Sequence, residues 1–187
     1  MKVTSKFERL YYGMRVYSLT NEDGQTVELP AGLELTADSI TTLLGDSEWG
    51  SVEDRALVEA FLLDLVIDAK IREIDAYDTS SAVNGFILDG ELAWLDRNTR
   101  GGLGRRLASE KREGREISTL WLGTRNFPLP IPLAKSLLDI VEVYAADCFD
   151  VTAQHKATVL AMTDVDAVRA YDHTSGYPPR PVISTQG

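Results

Sequence analysis

The chain has 187 residues, 44% of them apolar and 26% charged, with a formal net charge of -10. That length suits one domain or two small ones with a sizeable core, and so large an excess of acid excludes binding to nucleic acid or an anionic membrane through a uniform positive field. The single cysteine, Cys148, excludes an intramolecular disulfide framework and fits a reducing compartment.

The segment Met1-Lys2-Val3-Thr4-Ser5-Lys6-Phe7-Glu8-Arg9 lacks the apolar run of a signal peptide, and acids interrupt the longest apolar stretches well short of a membrane span. A soluble protein made in the cytoplasm is expected. Residues 6–36 read as β-rich. One strand covers residues 9–18, Asn21-Glu22-Asp23-Gly24 turns it through the positive φ open to Gly24, and Thr26-Val27-Glu28-Leu29 returns. Residues 39–44 suit a short helix stopped by Gly45. Ser51, with Asp54 three residues on, predicts the capped start of a long helix to about Tyr77. Between Leu57 and Ile67 that helix is apolar almost all round, so it is either central in the fold or buried partly by another chain.

Asp89-Gly90 between Phe86-Ile87-Leu88 and Leu92-Ala93-Trp94-Leu95 predicts a hairpin, and Asp96 predicts the N-cap of a helix over residues 97–111. Gly101, Gly102 and Gly104 weaken that helix by about 1 kcal/mol each and leave room for backbone to pack on the sheet. A second strand pair follows, residues 117–122 and 127–131, and the prolines of the latter place it on an edge or allow only partial pairing. Pro132 suits the first turn of a helix in which Leu137, Val141, Tyr144, Cys148, Val151 and His155 recur on one face. Thr163 with Asp166 predicts the cap of a last helix to Tyr171, and residues 180–187 read as an extended tail. The segments around Tyr77-Asp78 and Tyr171-Asp172 echo one another and read as two similar helix ends.

The expected fold class is α+β: an N-terminal β-hairpin plus a ββα-ββα antiparallel sheet packed against long helices. The corresponding regions are 1–36 (hairpin), 37–80 (helical connector), 81–178 (ββα-ββα with C-terminal helices) and 179–187 (extended tail).

No residue set has the spacing of a catalytic, metal or cofactor site. Cys148 and His155 share a helix face but lie about 10 Å apart along the axis, beyond the contact that a nucleophile pair needs, and Cys148 sits in the apolar stripe as a small hydrophobe. Two histidines and one cysteine without close spacing make no zinc site. Arg100-Gly101-Gly102-Leu103-Gly104-Arg105-Arg106 matches neither a P-loop nor a Rossmann turn. It belongs to a local basic patch with Arg97, read as a solvated helix face, with an intersubunit charge match as the alternative and nucleic acid last, for want of stacking aromatics. The pairs Asp64 with Asp68 and Asp75 with Asp78 read as surface charge rather than as catalytic carboxylates.

Several short blocks then occur in order: Ala76-Tyr77-Asp78-Thr79-Ser80-Ser81-Ala82-Val83-Asn84, Trp94-Leu95-Asp96 with Thr99-Arg100, and Thr119-Leu120-Trp121. Tyr144-Ala145-Ala146-Asp147-Cys148-Phe149, Val151-Thr152-Ala153-Gln154-His155 and Ala170-Tyr171-Asp172 through Gly176-Tyr177-Pro178 follow. Through these blocks, residues 71–182 resemble a phage and prophage family, the domain of unknown function numbered 4376, found in tail-region proteins and in prophages of gut Bacteroidetes. The resemblance brings no catalytic residues. It implies a virion-associated or tail-assembly role.

The leading expectation is therefore a non-enzymatic structural or accessory protein of the phage tail or fibre-attachment region, made in the host cytoplasm and carried in the virion. Its partners would be other phage structural proteins or further copies of itself on a symmetric particle, with no cofactor, metal, nucleic acid or membrane. An assembly chaperone absent from the finished particle is the second reading, and a phage enzyme with an unrecognised site the third. The expected partner-facing residues are Phe61, Leu62, Leu65 and Val66 on the long helix and Arg97, Arg100, Arg105 and Arg106 in the basic patch. Tyr177, Pro178 and Pro179 at the start of the tail complete the set, and the N-terminal hairpin is expected as a further contact element.

Overall fold

Tyr12 and Gly13 carry positive φ, 48° and 78°, and turn Val3–Tyr11 (β1) directly back onto Met14–Asn21 (β2). Consecutive positive φ values match the right-handed twist of the flanking strands in a two-residue hairpin. The expected turn at Asn21 then leads to Thr26–Glu28 (β3), with the Asn21 side chain accepting from the Asp23 and Gln25 amides at 3.0 and 2.9 Å. The N-terminal region is thus a three-stranded antiparallel sheet, β1-β2-β3, rather than one hairpin. The single strand expected over residues 9–18 is corrected by the turn at Tyr12, which alternation alone did not mark.

The structure is a computed structural model and describes residues 2–185. It is α+β, with the helices Ala37–Gly45 (α1), Val52–Asp78 (α2), Ser81–Asn84 (α3), Arg97–Arg112 (α4), Ile131–Leu160 (α5) and Val165–Ala170 (α6). The remaining strands are Gly85–Leu88 (β4), Glu91–Trp94 (β5), Ile117–Leu122 (β6), Arg125–Pro130 (β7) and Val182–Ile183 (β8). The chain divides into two compact units, Met1–Arg72 with Thr158–Tyr171, and Glu73–Ala157 with Asp172–Gly187. Two of the three boundaries fall inside α2 and α5, and the third follows α6.

In the first unit the start of α2 is closed reciprocally. The Asp54 amide donates to Ser51 Oγ at 3.1 Å and the Ser51 amide to Asp54 Oδ2 at 3.2 Å. Leu19, Leu29, Ile40, Val58, Val159 and Val168 are buried. Arg169 on α6 reaches Thr41 on α1 at 3.2 Å. The N-cap of α6 is Asp164, accepting from the Ala167 amide at 2.7 Å, one residue beyond the expected Thr163.

In the second unit β4 pairs antiparallel with β5, and β6 with β7 from Ile117↔Pro130 to Leu122↔Arg125. The two hairpins do not join into one antiparallel sheet. Phe86, Leu88 and Ala93 from one and Leu120 and Leu129 from the other enter a common core with Leu107 of α4 and Leu137 and Val141 of α5. They meet through side chains, and the Arg125–Glu91 ion pair bridges them at the surface. Both strands of a two-stranded sheet are edges, which accommodates Pro128 and Pro130 in β7.

Part of the segment expected as an extended tail joins a sheet. Val182 and Ile183 add to β4 in parallel, with Ile87 and Asp89 amides donating to Pro181 and Ile183 carbonyls at 2.8 and 3.0 Å. Gln186 and Gly187 lie outside the described residues. Of the α4 glycines, Gly104 faces Leu138 of α5 at ordinary contact distance while Gly102 has open space around it, so close packing on the sheet is not why they are glycine.

Candidate functional site

Three elements of the second unit converge on a cleft of about 500 Å³. The first is the corner between α2 and α3. Ser80 caps α3, its Oγ accepting from the Ala82 amide at 3.2 Å, and the Asn84 side chain donates back to the Asp78 carbonyl. These bonds fold Asp78, Thr79 and Asn84 onto one wall.

The second element is the junction of β5 and α4. Asp96 accepts from the Asn98 and Thr99 amides at 2.9 and 3.0 Å and from the Thr99 hydroxyl at 2.5 Å. That cap directs Arg97 and Arg100 toward the cleft and leaves Trp94, 48% exposed, at its mouth. The Thr99 hydroxyl, then the Thr99 and Asn98 amides, hold the Asp96 carboxyl below the usual carboxylate range, so it stays ionised and is no proton donor near neutrality.

The third element is one face of α5, with Glu142, Ala145, Ala146, Phe149 and Asp150 at helical spacing. Ala145 and Ala146 keep this wall low, and Phe149 is 62% exposed whereas Val141, Tyr144 and Cys148 of the same helix are buried. Arg100 is fixed between elements: its Nη1 donates to the Leu95 carbonyl at 2.7 Å and its Nε to Glu142 Oε1 at 3.1 Å. With four carboxylates against two guanidinium groups, the lining carries a net negative charge. Such a surface disfavours phosphate and suits the basic or polar side chains of a protein, with the two aromatic rings as apolar contacts.

Beside the cleft, the C-terminal segment is tied to α5. The Thr152 hydroxyl donates to Asp78 Oδ1 at 2.7 Å, so the Tyr177 hydroxyl, 3.0 Å away, is the donor to Thr152. His155 Nε2 lies 2.9 Å from the Ser175 carbonyl, which only accepts, so that nitrogen carries a proton. The Tyr77 ring meets those of His173 and Tyr177 at 5.6 and 5.5 Å. Buried Tyr144 donates to the Val83 carbonyl at 2.5 Å, and the Cys148 thiol approaches the same oxygen at 3.7 Å. Burial pushes the Tyr144 pKa up to about 12 and raises that of Cys148, the opposite of an activated nucleophile. Cys148 and His155 therefore hold two different parts of the chain and do not act as a pair.

The expected partner-facing residues fall into different environments. Phe61, Leu62 and Val66 are buried and Leu65 is half-buried, so the apolar girth of α2 is core in this chain. Arg100 is largely buried, paired with Glu142 in the lining of the cleft. Arg97 and Arg105 are exposed, and Arg106 is exposed with its Nε on Glu110 at 2.9 Å. Tyr177 and Pro178 are half-buried and Pro179 is exposed. The carboxyl of half-buried Asp64, expected as plain surface charge, is raised by burial first and by Asp68 second.

Sequence reasoning missed the cleft, because its walls come from positions 78 to 150. The N-terminal hairpin, expected as a contact element, exposes Phe7, Leu10, Tyr11, Tyr12 and Met14 by 63, 74, 50, 87 and 48%, around a turn that sequence reasoning did not place. The Tyr-Gly pair at the turn was the available signal. Among the described residues no group of three or more His, Cys, Asp or Glu is placed to hold a metal ion, and no helix is long and apolar enough to cross a membrane. Set against protein-family models, curated proteins and solved structures, the chain matches none.

Proposed function

We propose that this protein is a non-enzymatic docking protein of a bacteriophage or prophage particle, an accessory component of the tail or fibre-attachment region. The observation that carries the docking role is the cleft: Trp94 and Phe149 stand exposed at a concave, net acidic surface on which Asp78, Asp96, Arg100 and Glu142 are held by structural bonds. Fixed charge with exposed aromatic anchors is the make-up of a protein-recognition surface. The phage context rests on the resemblance of residues 71–182, which lies in short ordered blocks rather than in a family-model match. Nine of the residues in those blocks line the cleft: Asp78, Thr79, Asn84, Trp94, Asp96, Arg100, Ala145, Ala146 and Phe149.

The test uses particles from a strain deleted for the gene. Added protein should sediment with them, and the Trp94→Ala/Phe149→Ala variant should bind at least about tenfold more weakly with its thermal midpoint unchanged, since two anchors each contribute about 1 kcal/mol or more. Protein that stays in the supernatant would refute the docking role. Binding indifferent to both substitutions would remove the cleft from it.

A further inference from the structure

β1 is the outer strand of its sheet, and its far edge has no strand partner among the described residues. Thr4 to Tyr11 are all exposed, on both faces of the strand. The strand holds no proline, and its one irregularity lies at its start, between Val3 and Ser5. A long edge of this kind, with Phe7, Leu10 and Tyr11 exposed beside open main-chain groups, is a template for pairing.

We infer that the partner of this edge is a second copy of the same chain, paired antiparallel along β1 about a twofold axis through Phe7. This inference is independent of the virion reading. Only alternate residues of an edge strand aim their N–H and C=O outward. An antiparallel self-pairing must match outward residues with outward residues, so its axis passes through a residue and not between two. An axis at Phe7 pairs the whole strand, Val3 with Tyr11 at each end. It sets Phe7 against Phe7 and Lys6 against Glu8 twice, once on each side of the axis. Moving the axis to Lys6 sets Lys6 against Lys6, and moving it to Glu8 sets Glu8 against Glu8. Like charges directly opposite destabilise a strand pair. The charges of β1 thus select the one register that also uses its full length. In that register Glu8, already 3.4 Å from Arg15 of its own chain, receives a second cation from the other copy. The contact is isologous and closes as a dimer, joining two three-stranded sheets into one of six.

Sedimentation equilibrium of the full chain at low salt should give twice the 20.6 kDa chain mass. Lys6→Glu and Glu8→Lys, both at exposed positions, should each weaken the dimer about tenfold, and the double exchange should restore it. Phe7→Cys should form an intermolecular disulfide on mild oxidation, because facing residues lie within about 5.5 Å. Leu10→Cys should not, because its copies lie about 20 Å apart along the strands. A monomer at 100 micromolar, where about tenfold weaker dimers are still measured, would overturn the inference. So would a dimer unchanged by both charge reversals.

Discussion

Tyr144→Phe tests how the corner before β4 is held to α5. The substitution removes one hydroxyl and leaves the ring in place. The Val83 carbonyl, in a residue 1% exposed, then loses its 2.5 Å donor and cannot reach water. Stranding a buried acceptor costs about 1–3 kcal/mol. The Cys148 thiol at 3.7 Å remains as a weak donor, which places the loss in the lower half of that range, about 1–2 kcal/mol. For a chain of this size that is a fall of about 2–8 °C in thermal midpoint. Urea unfolding should show a lower midpoint with the same slope. Adding Cys148→Ala should cost more in the Tyr144→Phe background than in the wild type, since it removes the last donor. Alkali gives a second readout. The folded pKa of Tyr144 is raised from 10.0 to about 12, so its contribution is complete below pH 10 and is lost as the pH rises through 12. The Phe variant should lack that part of the alkaline decline. An unchanged midpoint, with the same alkaline profile as the wild type, would refute the reasoning.

A Cβ on Gly85 would stand 2.6 Å from the Ser81 carbonyl oxygen and 2.9 Å from a Leu92 methyl, so Gly85→Ala should destabilise by about 1–3 kcal/mol in urea titration. Gly102 sits inside α4 with nothing within 4 Å of its added Cβ, so Gly102→Ala should stabilise by about 0.5–1 kcal/mol in the same assay. Asp89 accepts from the Thr185 amide at 2.8 Å and the Thr185 hydroxyl at 2.5 Å, and that hydroxyl is the main reason its pKa is lowered. A lowered folded pKa means the clamp is complete above the ordinary value of 3.8 and is lost as pH falls through the folded value. Hydrogen exchange at the Asp89 and Thr185 amides should therefore quicken in acid, and Asp89→Asn should quicken it at pH 7.

Where function was concerned, local chemistry was legible and convergence was not. The Ser51/Asp54 box, the Asp96 cap and the Asp89-Gly90 turn are set by neighbours within a few residues, and the structure has all of them. The α5 stripe from Leu137 to Cys148 is likewise buried. The Tyr12-Gly13 turn was hidden inside a continuous apolar stretch, because Tyr12 is among the few non-glycine residues at positive φ. The parallel docking of Val182 and Ile183 on β4 joins positions almost a hundred residues apart and leaves no periodicity to read. Phe61 and Arg100 show the converse: surplus apolarity and positive charge suggested surfaces, and each side chain is in fact enclosed.

The most direct test of the central claim is quantitative mass spectrometry of gradient-purified particles induced from a lysogen that carries the gene. The docking account predicts this protein in the particle fraction, in a fixed ratio to a known tail component through successive purifications. Protein found only in the soluble lysate, with particles complete without it, would contradict a virion role and favour the assembly chaperone.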